Sequence, residues 1–377
     1  MPVSMFGVVW PDVRQHFGQS LGALGLVSLV YGVARMSTCA SGSALIRRFG
    51  MSTSFIGALT LLSATCVAVA SSTSWLRFLA GVAGVGVASG MLDSVGAAFI
   101  IDLADISRTG LVHGSYGVGA TLGPLIVAVV SGWRVAMFVS ALTVSGAIAV
   151  AARARHDWPT IEHHHASTRA GVPLSRLPAA LSLGLFATFV AIEVTTGQWA
   201  YTYLTDHRGI GGGVAAVGIA GFWGGLTIGR LGLARRSVSE FTARVGLPTF
   251  ALAGGGLLAA LTVLPAVLGA GVLGLAGLVL APIVPSLFAT TSQRIGAAHA
   301  QRMAGWQLLA ANAGAIVAPS LTGALVDRVG PGVVVIVIAA LTAVGVPLLV
   351  AITRSPARSV EPIPDRSTER AGSSRPS

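Results

Sequence analysis

The sequence predicts an all-α membrane protein of eleven full spans preceded by a short helical stub, and three observations predict it. Hydrophobic residues fill 53% of the 377 positions, charged residues only 10%, and the mean hydropathy is +0.79. A water-soluble domain of this length has too few charges to cover so much apolar surface. The apolar residues also fall into blocks of about 20, bounded by Arg, Asp, Pro or Gly clusters, and a helix of that length matches a hydrocarbon core about 30 Å thick. Finally, all 24 basic residues are Arg, and most of them sit at or between the block ends. The net charge of +11 is therefore a property of loops. No basic stripe interleaved with exposed aromatics runs along a polar domain, which excludes nucleic acid as a partner.

Met1 to Trp10 reads as the stub of a first helix. It lacks a basic leader and a small-residue cleavage site, so no signal peptide is expected. Full spans follow at 21–46, 51–70, 75–101, 111–130 and 133–152. Gly81, Gly84, Gly86 and Gly90 in the third of these mark a close helix crossing, because small residues let backbones approach in lipid. The polar connector 153–176 holds His156, Asp157, Glu162 and the run His163–His165. A solvated linker is its expected role. No second ligand cluster lies nearby, so neither a metal nor a cofactor is expected. Six spans then occupy 177–204, 214–233, 246–264, 266–289, 305–326 and 333–352, with bends expected at Pro282 and Pro285. The Ser-, Pro- and Arg-rich tail has nothing to build a core from and is expected to be disordered. The chain thus divides into an N-terminal helical bundle (1–152), the connector (153–176), a C-terminal bundle (177–353) and the tail (354–377). Cys39 and Cys66 fall inside apolar blocks and read as packing residues.

Alternating sides from a cytoplasmic connector puts eighteen Arg on that side and five on the other, with Arg35 inside a span. The positive-inside rule then places connector and C-terminus in the cytoplasm of a bacterial-type plasma membrane. The halves also repeat. Gly119–Pro124 matches Gly314–Pro319 at an offset of 195, Tyr31-Gly32 matches Trp223-Gly224 at 192, and Trp10 matches Trp199 at 189. Equivalent spans enter from the same side, so the repeat is parallel, a known transporter plan. In this register most of the first helix is missing, and a start codon set too late is the expected reason.

Gly42-Ser-Ala-Leu-Ile-Arg-Arg-Phe-Gly50 lies where the major facilitator superfamily has its signature loop Gly-x-x-x-Asp-Arg-x-Gly. Arg48 and Gly50 fit, while Arg47 replaces the Asp. Gly90-Met-Leu-Asp93 and Glu193-Val-Thr-Thr-Gly-Gln-Trp-Ala-Tyr201 resemble the fucose-permease-like sugar transporters within it. The resemblance covers nearly the whole chain. It implies two parallel six-helix bundles around a wet cavity, with Gly42, Arg47, Arg48 and Gly50 at a cytoplasmic gate.

Arg35, Asp93 and Glu193 are read as the ionisable side chains deep in apolar blocks. Each costs ~2.5–3.5 kcal/mol on insertion scales, so each is expected to face a cavity or a partner. A carboxyl alternating between wet and lipid-like surroundings can bind and release a proton. Asp93 is the expected proton carrier, which its match to an acidic position of the fucose-permease-like proteins also implies. Glu193 is the second candidate, and Arg35 is read as a counter-charge to Asp93 or to a substrate anion. Gln198, Trp199 and Tyr201 suit a polar, ring-shaped solute, with an interfacial aromatic belt as the alternative. Gln307 and Asn312 are further substrate-binding candidates, with helix–helix hydrogen bonding as the alternative.

The expectation is a monomeric secondary transporter of a small solute, driven by protons and embedded in the lipid bilayer, with a sugar-like substrate favoured. With no Lys in the chain a phosphate-cradling Gly-x-x-x-x-Gly-Lys loop is excluded, so ATP is not its direct energy source. A proton-coupled drug antiporter and a non-transporting sensor remain alternatives. An enzyme is not expected, because only the connector clusters His, Asp and Glu.

Overall fold

A computed structural model of the chain describes residues 2–103, 106–130, 132–155, 158, 176–233 and 246–354. The connector's His156, Asp157, Glu162 and His163–His165, and the tail beyond Arg354, lie outside the described residues.

Every described element is helical. The helices are α1 (Pro2–Phe17), α2 (Leu24–Phe49, led by a 3-10 turn at Leu21–Ala23), α3 (Met51–Ala70), α4 (Trp75–Leu103), α5 (Ile106–Val129) and α6 (Trp133–Arg153). The second half holds α7 (Arg176–Thr202, extended by a π turn Tyr203–His207), α8 (Gly212–Leu233), α9 (Leu247–Ala260), α10 (Ala266–Leu280), α11 (Ile283–Ala289), α12 (Thr291–Ile295), α13 (Ala297–Val329) and α14 (Val333–Arg354). The solvent explains the uniformity. The β-branched run that opens α14, Val-Val-Val-Ile-Val-Ile, favours a strand in water. In lipid each backbone N–H and C=O needs a partner inside its own segment, and a helix supplies one. Outward-facing apolar side chains such as Leu142 (73% exposed) and Ile336 (67%), together with buried Gln198, Gln307 and Thr195, give the inside-out pattern of a chain bathed in lipid.

Several expected boundaries change. The first helix runs seven residues past Trp10, because His16 and Phe17 join a ring cluster with Trp75, Phe78 and Trp133. The span expected at 266–289 divides into α10 and α11 at Pro282, which has no N–H to continue the ladder. The last-but-one helix begins eight residues earlier than expected, at Ala297. Among the described residues nine helices, rather than eleven, are long and apolar enough to cross a membrane. Leu247–Ala260 is shorter, and in α5 the described side chains begin at Tyr116. At 1.5 Å per residue, the 14 residues of α9 reach only about 21 Å.

Helix contacts repeat six elements apart until the Pro282 break. α1 packs on α5 and α6, α2 on α4, and α3 on α4 and α6. In the same pattern α7 packs on α13 and α14, α8 on α10, and α9 on α10 and α14. The two sets meet where α5 packs on α8, α2 on α13 and α1 on α7. At the face opposite the connector they are tied by polar contacts. Asp327 at the end of α13 accepts from the Gly22 backbone N–H (2.6 Å) and the Ser20 hydroxyl (2.7 Å), and Arg14 reaches Asp206 at 3.3 Å. This contact requires glycine: a Cβ on Gly22 would collide with the Gly323 carbonyl, and one on Gly323 with the Gly22 carbonyl.

Candidate functional site: a two-sided cavity walled by an ion pair

Two ion pairs lie between these helices, one partly buried and one closed around a buried carboxylate. Arg35 on α2 donates from Nε to Asp93 Oδ2 on α4 at 2.6 Å. The approach depends on α4 glycines, since a Cβ on Gly86 would strike the Tyr31 carbonyl and one on Gly90 the Arg35 carbonyl. Cys39 directs its Sγ toward the same carboxylate oxygen at 3.9 Å. In the other half, Arg230 on α8 donates from Nη2 to both oxygens of Glu193 on α7, at 2.7 and 2.6 Å. Glu193 is the more enclosed of the two carboxylates, with 9% of its side chain exposed against 29% for Asp93. Tyr116 on α5 lies within electrostatic reach of all four charges.

The Arg35–Asp93 pair forms one wall of a cavity of about 150 Å³. Ser4, Ser28, Tyr31, Leu62, Ser89, Tyr116 and Ala120 line it from the first half, and Val194, Gln198, Trp223, Asn312 and Ile316 from the second. Ser28 closes a bond between the halves, donating its hydroxyl to Gln198 Oε1 at 2.5 Å. Trp223 is 7% exposed, and its Nε1–H has no partner among the described residues. The chemistry on offer is a small chamber lined by both helix sets, its walls mostly apolar and aromatic, with a few polar groups and its charge held in a pair.

The structure sorts the remaining candidates. Gln198 and Asn312 line the cavity. Gln307 is fully buried away from it, donating to Ser182 (2.7 Å) and Thr291 (2.9 Å), a helix–helix bond. Trp199 is equally buried, with its indole N–H on the Pro319 carbonyl at 3.0 Å, and it packs α7 against α13. Tyr201 sits beside Gly212 at the far end of α7, outside the cavity lining. Arg47 and Arg48 are exposed at the end of α2, Arg48 lying over the Phe49 ring. Gly42 packs on Ser94, and Gly50 makes the turn into α3. Among the described residues no cluster of His, Cys, Asp and Glu is grouped to hold a metal.

Sequence reading missed Arg230, Tyr116 and the unpaired indole of Trp223. Arg230 lies within the span expected at 214–233, just before the loop arginines that follow it, and its position inside the block is the signal. Tyr31 and Trp223 had been marked only as repeat-equivalent positions, and both face the cavity.

Residues 1–319 match the sequence model of the Major Facilitator Superfamily. The chain belongs to the Major Facilitator Superfamily. As a member it is a multi-pass membrane transporter rather than an enzyme. Three solved structures share the superfamily fold over 93% of this chain. The nucleoside transporter NupG aligns with a TM-score of 0.70 at 14% identity, covering 96% of that chain. The Escherichia coli fucose:proton symporter FucP, in its outward conformation, aligns at 0.62 with 15% identity over 97% of its length. A bacterial homologue of the human lysosomal transporter Spinster, inward-facing and occupied, aligns at 0.61 with 14% identity over 91%. Among curated proteins, Bypass of stop codon protein 6 of Saccharomyces cerevisiae is 24% identical over 262 residues, 60% of this chain. The match spans about half, 52%, of that yeast protein's length.

Proposed function

We propose that this superfamily member is a proton-coupled carrier that takes up a small, sugar-like polar solute by alternating access. One observation carries the reading: a cavity lined by both halves has an ion-paired carboxylate, Asp93, in its wall. The two halves are six-helix bundles, 1–152 and 177–353, that rock about the cavity. Connector and C-terminus lie in the cytoplasm of a bacterial-type plasma membrane, and one chain is the working unit. Asp93 binds and releases the coupling proton, while Arg35 answers each change in its charge. Gln198 and Asn312 contact the solute. Tyr31, Tyr116 and Trp223 supply the aromatic walls for which Trp199 and Tyr201 had been candidates. Glu193 and Arg230 set the field behind Tyr116. The neighbours support a sugar-scale solute, since one is a fucose:proton symporter and another a nucleoside transporter.

Proteoliposomes with an imposed pH gradient test the reading. Asp93→Asn abolishes accumulation of labelled solute against its gradient and spares exchange of solute already bound. Uphill accumulation that survives this change removes Asp93 from the coupling step.

A further inference from the structure

We infer that the solute carries one carboxylate, which takes the place of Asp93 on Arg35 when Asp93 is protonated, so that proton and anion cross together without net charge. This rests on the transporter reading above and names the substrate class of the same site.

The charge balance of the cavity leads there. Among the described residues its charged lining consists of Arg35 and Asp93, which sum to zero while paired at 2.6 Å. Adding one proton to Asp93 breaks that ion pair and leaves a guanidinium alone in a partly buried wall. Arg does not shed its proton to relieve the cost. A neutral solute would leave the loaded cavity at +1 through the transition, whereas a monoanion returns it to zero. When the solute leaves, the proton departs from Asp93 and the original pair closes again.

The hydrogen-bonding capacity left over agrees. The Ser28 hydroxyl is engaged by Leu24 and Gln198. Arg35 has donors only, while the side-chain amides of Gln198 and Asn312 and the hydroxyls of Tyr31 and Tyr116 in the lining offer donors and acceptors both. Once Asp93 is protonated the group left without its partner is the donor-only guanidinium of Arg35, and a carboxylate is the strongest acceptor an organic solute can offer it. At about 150 Å³ it accepts a small one, since a cavity of that size holds a molecule such as benzene.

Among the described residues few titratable groups surround Asp93. From α2, Arg35 and Cys39 contact it and Tyr31 lies within electrostatic reach, as does Tyr116 from α5; the side chains of Arg108 and His113 on α5 lie outside the described residues. The α3 sequence holds no ionisable group besides Cys66. Beyond Tyr116, Glu193 already holds Arg230, so the second pair brings no free charge to the cavity.

Two matched pairs of probes test it on purified full-length protein: lactate against lactamide, and gluconate against glucose. Thermal stabilisation in detergent reads binding. At least one carboxylate is expected to bind roughly ten-fold or more tightly near pH 5.5 than near pH 7.5, because one proton is linked to its binding. Its neutral partner is expected not to bind. Asp93→Asn, which mimics the protonated acid, is expected to bind that carboxylate with the pH dependence flattened to within about two-fold. Equal binding of the neutral partner, binding of neither carboxylate, or an undiminished pH dependence in Asp93→Asn overturns the inference. If the variant does not fold, the wild-type pH dependence and the matched pairs still decide. In proteoliposomes with a valinomycin-set potassium potential, pH-driven carboxylate uptake is expected to ignore the potential. Uptake of the neutral sugar accelerated by an interior-negative potential sinks the anion and leaves the carrier. Carboxylate binding with no flux sinks the carrier and leaves the anion site.

Discussion

Glu193 and Arg230 show how much a single buried partner matters. Nη2 of Arg230 holds both carboxylate oxygens, while its Nε is buried with no partner among the described residues. Glu193→Gln therefore strands a guanidinium between α7 and α8. Removing one member of a buried pair costs about 3–5 kcal/mol, and a well-packed apolar replacement of both members recovers much of it. The expected outcome is a large drop in melting temperature for Glu193→Gln, with most of it restored in Glu193→Gln/Arg230→Met, read by thermal unfolding in detergent. A double variant as unstable as the single one would show that the pair is not the cause. Glu193 was legible as an isolated acid in an apolar block. Its partner was not, because an arginine three residues from a block end reads as a loop charge until the helix is seen to carry it inward.

At the scale of elements, the α2–α4 crossing positions Arg35 against Asp93. Gly90 faces the Arg35 carbonyl without room for a Cβ, so Gly90→Leu must push the helices apart. Overpacking of this kind costs typically about 1–3 kcal/mol. The variant is expected to melt lower and to lose proton-coupled uptake, whereas Gly57→Leu, at an α3 glycine with open space around its Cβ position, is expected to leave both nearly unchanged. Equal behaviour of the two variants would show that the crossing does not need glycine. The glycine spacing in α4 predicted a crossing. Which helix crosses there, and with which carbonyls, was not in the spacing, since any neighbour in lipid satisfies it. The Pro282 break was legible as a bend for the opposite reason, because a missing N–H acts within its own helix.

For the whole molecule, the decisive contacts are those that join the two helix sets at the face opposite the connector. Asp327 holds Ser20 and Gly22, and Arg14 holds Asp206, in polar contacts each able to contribute about 0.5–3 kcal/mol. In a carrier that alternates, closure on this face is one of two states, and the contacts bias the balance toward it. Asp327→Ala is expected to raise the population open on that face by roughly 5- to 30-fold, the factor that about 1–2 kcal/mol confers. Spin labels at Gln19 and Arg328, with Cys39 and Cys66 replaced by Ala, would report it as a new, longer distance. An unchanged distance distribution would show that the glycine contacts alone hold the face shut.

Membrane solvent, helical class and three of the four charges in the two ion pairs were set by the sequence itself. Each follows from local quantities: block length against bilayer thickness, Arg content of the loops, and the expense of an ionisable group in a hydrocarbon. Which polar groups face the cavity and which merely tie helices together was decided only by the tertiary structure. Trp199 and Gln307 differ from Trp223 and Asn312 in nothing the chain displays locally. They differ in which side of a helix meets which neighbour, and packing across distant segments settles that.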